Sequence, residues 1–328
     1  ECPMLDCRGR DIHYLRISVT DRCNLRCVYC MPAEGVEWVE HSEILTYEEI
    51  LRLARLFARL GIDRIRLTGG EPLARRGLDG LIAGLKAIPG IRRLALTTNG
   101  VLLAGQLPRL TAAGLDAVNL SLDTLDRGQY AAITRRDCLP QALEGLAAAR
   151  AVPGLNVKIN CVPTGDNADQ WVPLAALARE APALDVRFIE LMPIGLGRSL
   201  PRRTEGQVLA RLEEAFGPAL PCPQEAAGGP SRYVTLSGFA GRVGFISALS
   251  HQFCGGCNRV RLTAQGLLKP CLQYESHTDL RALLRSGADD SALLEVMERA
   301  IYQKPACHHF DAPACPEDEG RNMNQIGG

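Results

Sequence analysis

Six cysteines stand in two tight groups, Cys23, Cys27 and Cys30, then Cys254, Cys257 and Cys271. Thiolates gathered this closely suit iron–sulfur clusters or zinc. The first group reads C-x3-C-x2-C, with no fourth ligand nearby. A structural zinc site takes four ligands, commonly from C-x2-4-C pairs. Three ligands instead fit a four-iron cluster with one iron left open to an outside ligand. The second group reads C-x2-C-x13-C. With His251 as a fourth ligand it spells a zinc site, and without it a second open cluster; spacing alone leaves both standing. The other seven of the 13 cysteines are scattered and read as buried or incidental. The His308-His309 pair beside Cys307 is read as non-ligating, because the clusters find their ligands elsewhere.

Cations accompany both groups. Arg259 and Arg261 follow the second one, two residues apart and so on one face of a strand. Paired guanidiniums suit a phosphate or another planar anion. Arg16 shares a strand face with Ser18, Arg66 with Thr68, and Lys158 with Asn160. Cations entering from strand interiors suit a bound anion, since burying them alone is costly. The plainer alternative points them outward into water.

These groups sit in a chain of 328 residues, 46% hydrophobic and 23% charged, with 37 residues of each sign and no net charge. That composition excludes disordered and collagen-like chains. Neutrality gives no long-range pull toward nucleic acid or acidic membranes. No apolar run reaches the length of a membrane span, and the opening residues carry no signal-peptide pattern. With clustered cysteines, this leads to the expectation of a cytoplasmic protein with neither nucleic-acid nor membrane partners.

The elements that must position these groups alternate. Strands are predicted at 15–20, 64–68, 94–97, 117–121, 156–162 and 186–190. Helices are predicted at 47–60, 78–87, 107–113, 141–149 and 171–179, the first capped by Thr46 and stopped by Gly61. Strand followed by helix six times implies a parallel sheet, either doubly wound or a partial barrel. Nearly every strand ends in polar residues, among them Thr68-Gly69-Gly70-Glu71-Pro72, Thr97-Thr98-Asn99-Gly100, Ser121-Leu122-Asp123 and Glu190-Leu191-Met192-Pro193. Such tips suit the rim of one cavity. From 217 to 230, seven of fourteen residues are Gly or Pro, a linker signal. A hairpin at 232–236 and 242–247 follows, then two short helices near 279–285 and 291–303. The division expected is 1–216 for a barrel and 217–328 for a C-terminal region carrying the second cysteine group.

The first cysteine spacing, placed after the first strand and followed by Gly69-Gly70-Glu71-Pro72, resembles the signature of the radical S-adenosylmethionine (SAM) superfamily. The resemblance implies an α/β fold, a partial (β/α)6 barrel. It also implies a [4Fe–4S] cluster on Cys23, Cys27 and Cys30, whose open iron is chelated by SAM. One-electron cleavage of SAM would give a 5′-deoxyadenosyl radical. Tyr29, Gly69, Gly70, Glu71, Ser121 and Met192 match the SAM contacts.

The resemblance narrows at the second group. The run from Phe245 through Cys254-Gly-Gly-Cys257-Asn258-Arg259-Val260-Arg261-Leu-Thr263 is similar to the C-terminal signature of the GTP 3′,8-cyclase family of molybdenum cofactor biosynthesis. The block from Leu15 to Asn24 and the terminal Ile326-Gly327-Gly328 match the same family, so the likeness runs from about Asp6 to Gly328. It implies a second [4Fe–4S] cluster on Cys254, Cys257 and Cys271, facing the guanine of GTP. GTP would be held by Arg16, Arg66, Thr97, Lys158, Arg259, Val260 and Arg261. Arg16, Arg259, Arg261 and the entering Gly327-Gly328 tail would act in catalysis. Abstraction of the ribose 3′ hydrogen and attack on C8 would give 3′,8-cyclo-7,8-dihydroguanosine 5′-triphosphate. A flavodoxin- or ferredoxin-like electron donor and a downstream cyclic pyranopterin monophosphate synthase follow as partners, and the resemblance allows a homodimer. Leu25, where relatives have an aromatic, and a short stretch at 193–203 depart from the family pattern. The competing assignment is a radical SAM enzyme whose auxiliary cluster serves a peptide or other substrate. A third is a zinc or electron-transfer protein without catalysis.

Overall fold

The computed structural model describes residues 3–222, 229–313 and 315–327. Most of the predicted linker, at 223–228, and Gly328 lie outside them. Strands and helices alternate as β1 (Tyr14–Ser18), α1 (Tyr47–Arg59), β2 (Arg64–Thr68), α2 (Leu78–Lys86), β3 (Arg93–Thr98), α3 (Leu103–Ala112), β4 (Ala117–Ser121), α4 (Arg127–Thr134), α5 (Leu139–Arg150), β5 (Asn156–Cys161), α6 (Trp171–Ala176) and β6 (Leu184–Ile189). These six strands are parallel and lie side by side in sequence order. A doubly wound sheet reverses its order at a switch point; this one does not, so the partial barrel is the arrangement found. Odd strand positions supply the core between sheet and helices: Leu15, Ile17, Ile65 and Leu67 are all buried there.

The C-terminal strands extend the same sheet from both ends. After α7 (Glu205–Phe216) come β7 (Leu220–Pro221), β8 (Arg232–Thr235) and β9 (Arg242–Ile246), an antiparallel set whose last member pairs parallel with β6. Then β10 (Arg259–Leu262) pairs parallel with β1 and antiparallel with β11 (Leu267–Lys269), which pairs with β12 (Thr278–Asp279). The chain closes with α8 (Leu280–Arg285), α9 (Asp290–Tyr302) and α10 (Met323–Ile326). The predicted hairpin is present, and β10 carries Arg259 and Arg261 on one face with Val260 and Leu262 buried on the other.

Helix α1 has the capping box between Thr46 and Glu49. Helices α4 and α7 were not predicted, although Asp126 caps the first and Thr204 with Gln207 forms a capping box on the second. Both signals are written in the sequence. Among the described residues, no helix is long and apolar enough to cross a membrane.

Glu190, at the tip of β6, joins the barrel to the C-terminal region. Its buried carboxylate accepts hydrogen bonds from the backbone of Glu205 at 3.0 Å, Leu249 at 2.8 Å and Ser250 at 3.0 Å, and from the Ser250 hydroxyl. Bonds to a charged acceptor contribute more than neutral ones, and orphaning buried donors costs more still. Glu190→Ala is expected to destabilise the fold by about 2–4 kcal/mol. Hydrogen exchange should accelerate at residues 249–250 while β2 stays protected; unchanged exchange there would show that the loop is held by something else.

Candidate active site

A cavity of about 380 Å³ fills the barrel; the first cysteine trio, Tyr29, Gly69 to Glu71, Ser121, Met192 and the strand-borne cations line it, whereas Cys254, Cys257 and Cys271 are not among its lining residues. At one end are Cys23, Cys27 and Cys30, in the loop after β1. Burial drives all three thiols up, Cys23 to about 11 and Cys30 to about 12. Such thiols carry charge only beside a metal cation. Three clustered thiolates with no fourth protein ligand in the same loop suit a [4Fe–4S] cluster.

The neighbouring rim is built around this trio. Gly69 and Gly70 let the loop after β2 press on the loop after β1: a Cβ on Gly70 would lie 2.3 Å from the Arg22 carbonyl oxygen, and one on Gly69 would lie 2.6 Å from that of Thr20. Gly70 and Glu71 donate backbone hydrogen bonds to those same carbonyls, each at 2.7 Å. The Glu71 carboxylate is engaged by the Thr98 hydroxyl and by backbone N–H groups of Leu73 and Asn99. Burial nevertheless raises it to about 7. Asn99 in turn turns its amide toward Cys23 Sγ, 3.9 Å away. Tyr29 donates to Asp123 at 2.6 Å, and burial lifts that carboxyl to about 6. Ser121 and Met192 also line the cavity. Asn99 and Asp123 were not predicted as site residues, though both lie inside the polar strand tips that marked the rim.

The floor is cationic. Arg66 on β2, Arg16 on β1 and Arg261 on β10 are register partners across three adjacent parallel strands. All point inward, as do Lys158, Thr97 and Arg259. The outward alternative is therefore excluded. Burial, then Arg261 and Arg66, push the Arg16 guanidinium well down, and burial with Arg259 brings Arg261 to about 10. Tyr14 lies among them: burial pushes its phenol up, but Arg66, Arg16, Arg259 and Arg187 outweigh that and hold it below its ordinary range. Arg66 meets the Asn119 amide oxygen, and Arg261 donates to the Gly327 carbonyl at 2.8 Å. Arg66 Nε, Arg259 Nε and Thr97 Oγ1 are buried with no partner, donors set for an absent acceptor. Lys158 differs, because it pairs with Asp185, which also takes both arms of Arg242. Arg187, buried and facing the cavity, is a cation the sequence reading missed.

The second trio lies behind β10. Arg10 fixes it, donating to the carbonyls of Cys254 at 2.9 Å and Ala306 at 3.0 Å while paired with Asp6 at 2.6 Å. Burial pushes the Cys257 thiol up, but Lys304 and Arg259 outweigh it and bring it to about 7. His251 is exposed, and its Nδ1 faces the Glu205 carboxylate at 3.3 Å. Val260 turns its side chain into the core, leaving its backbone for any contact. The tail reaches the cavity, where Met323 and Asn324 form part of the lining. Gly327 adopts a left-handed φ of 78°, and a Cβ there would meet Ser18 Cβ at 2.9 Å. Gly328 lies outside the described residues.

A parallel partial barrel with an open-iron cysteine trio in the loop after its first strand defines the radical SAM superfamily, whose family model matches residues 17–178. The Molybdenum Cofactor Synthesis C model matches residues 184–310. GTP 3′,8-cyclase of Heliobacterium modesticaldum is 48% identical over 334 residues, covering 99% of this chain and 100% of its own. The Moorella thermoacetica enzyme of that name is 46% identical over 332 residues, covering 99% and 100%. GTP 3′,8-cyclase 1 of Pseudomonas aeruginosa is 46% identical over 328 residues, covering 99% of each. The chain belongs to the GTP 3′,8-cyclase family. Among solved structures, Streptococcus suis SuiB bound to precursor peptide SuiA superposes with a TM-score of 0.61 at 16% identity, over 89% of this chain and 67% of that one; the likeness is one of fold.

The guanidinium row generates a stability test. Arg66→Met keeps side-chain volume and removes one of three adjacent like charges. The substrate-free protein should melt about 2 °C higher, and inorganic triphosphate should lose most of its stabilising effect. A lower melting temperature would show that the row is not strained.

Proposed function

We propose that this chain converts GTP to 3′,8-cyclo-7,8-dihydroguanosine 5′-triphosphate in molybdenum cofactor biosynthesis. The observation that carries this reading is one cavity with a half-buried cysteine trio at one end and a row of in-register guanidiniums on its floor. The chain is a radical SAM enzyme using a [4Fe–4S] cluster on Cys23, Cys27 and Cys30, together with SAM. When bound, these supply the one-electron chemistry that removes the ribose 3′ hydrogen.

The remaining roles fall to the chain's own side chains. Tyr29, fixed by Asp123, stacks beside the adenine of SAM, and Gly69–Gly70 present backbone to its methionyl end. Glu71 acts through the Asn99 backbone, holding the loop that faces Cys23. Ser121 and Met192 complete the SAM contacts. Arg16, Arg66, Arg261 and Arg259 bind the triphosphate, and Thr97 gives a hydroxyl to the ribose or phosphate. Lys158 contributes less charge, since Asp185 already neutralises part of it. Gly327 brings the tail against Arg261, closing the cavity over the ribose.

Cys254, Cys257 and Cys271 hold a second [4Fe–4S] cluster in this reading. Its support is the mutual proximity of the three thiols and the low-lying Cys257 thiol. Functionally, residues 1–216 cleave SAM and contribute Arg16, Arg66, Thr97 and Lys158 to the nucleotide site, which residues 217–328 complete with Arg259, Arg261 and the second cysteine trio. A low-potential donor of the flavodoxin or ferredoxin type supplies the electron, and a cyclic pyranopterin monophosphate synthase consumes the product.

Anaerobic reconstitution should give about eight irons per chain, and incubation with SAM, reductant and GTP should give the cyclised nucleotide. Four irons with zinc in a sulfur-rich shell would defeat the two-cluster reading. Arg259→Ala should weaken GTP binding roughly 10- to 100-fold with uncoupled SAM cleavage still measurable. Lys158→Ala should cost less than Arg259→Ala; the reverse order would misplace the triphosphate.

A further inference from the structure

Beyond the two cysteine trios, a third ligand set is assembled by the segment before the tail. His309 Nε2 lies 3.4 Å from Cys315 Sγ and 3.2 Å from Asp318 Oδ1, and the sulfur and carboxylate oxygen are 3.5 Å apart. Bond lengths of 2.0–2.3 Å around tetrahedral zinc separate such donors by about 3.3–3.6 Å. The three atoms therefore already form one face of a tetrahedron. Among the described residues, this is the trio of candidate ligand atoms that lie within 4.8 Å of one another.

The surroundings fix the ligands. His309 Nδ1 faces the Tyr274 hydroxyl at 3.0 Å, and the two rings meet edge-on at 5.2 Å. Engaging Nδ1 in this way leaves Nε2 for a metal. Gln273 donates to Asp318 Oδ1 at 2.9 Å, and the Cys315 backbone N–H donates to Oδ2 at 3.0 Å. A nucleophilic Cys–His–Asp relay would put the acid on the ring nitrogen remote from the thiol. Here both acid and thiol converge on Nε2, which is a ligand arrangement. The mix of thiolate, imidazole and one carboxylate selects a borderline transition metal over calcium or magnesium. His308, the other member of the pair, stacks on Phe310 and takes no part.

We propose that His309, Cys315 and Asp318 bind one zinc-class divalent ion, with water as fourth ligand, that staples His309 to the Cys315–Asp318 turn beside Tyr274, ahead of the tail. His309 is thus a ligand, though the sequence reading set it aside.

The test uses the reconstituted holoenzyme, given zinc sulfate and then desalted. About one zinc per chain should remain, and absorption at the zinc edge should show one sulfur at about 2.3 Å with nitrogen or oxygen at about 2.0–2.1 Å. Cys315→Ser and His309→Ala should each weaken zinc retention at least 10-fold with iron content unchanged, which also reports that the variants fold. Cys307→Ser should keep its zinc. No retained zinc in the natural protein, a sulfur-only shell, or zinc surviving in both ligand variants would overturn the assignment. None of these results depends on GTP turnover.

Discussion

Three guanidiniums in register across β2, β1 and β10 impose the main constraint on this molecule. Two unit charges about 5 Å apart repel by about 3 kcal/mol at an effective dielectric of about 20. A triphosphate placed among three such groups turns the same arithmetic into attraction. Under the proposed function the triphosphate relieves this repulsion and meets the buried donors Arg66 Nε and Thr97 Oγ1, which have no partner in the protein. The neutral total charge of the chain conceals this concentration.

Buried anions elsewhere hold the row in position. Glu190 ties the barrel to the loop leading toward the second trio. Glu319, wholly buried, pairs with Lys269 at 2.5 Å and takes both arms of Arg321, which keeps it near 2 despite burial. Lys269 is the register partner of Arg261. The tail, the cationic row and the strand that carries Arg261 are therefore one mechanical unit. Breaking one partner of such a buried pair leaves an uncompensated charge.

The sequence made a parallel α/β sheet legible because strand and helix periods alternate cleanly, while the choice of a barrel over a doubly wound sheet came from the family resemblance. Spacing made the cysteine trios legible, and alternation fixed that Arg16, Arg66 and Lys158 share faces with polar neighbours without fixing whether those faces point inward. What it could not give was pairing between distant segments. That β9 joins β6 and β10 joins β1 depends on contacts more than two hundred residues apart in the second case, and no local pattern encodes them. Arg10 and Arg187 escaped notice because each is an ordinary arginine until tertiary structure surrounds it. Asp185 is similar: only register shows that it neutralises Lys158.

The parallel pairing of β1 with β10 has a consequence for how the protein is made. The first strand to leave the ribosome waits for a neighbour encoded near the end of the chain. Through most of synthesis β1 is a bare sheet edge, the kind of surface that templates wrong partners. Closure then needs a long-range parallel contact, which forms slowly. The cysteine loop after β1 is complete early, whereas the cationic floor is finished only when β10 docks. Nascent chains thus carry the first thiol trio before they carry a complete cationic floor.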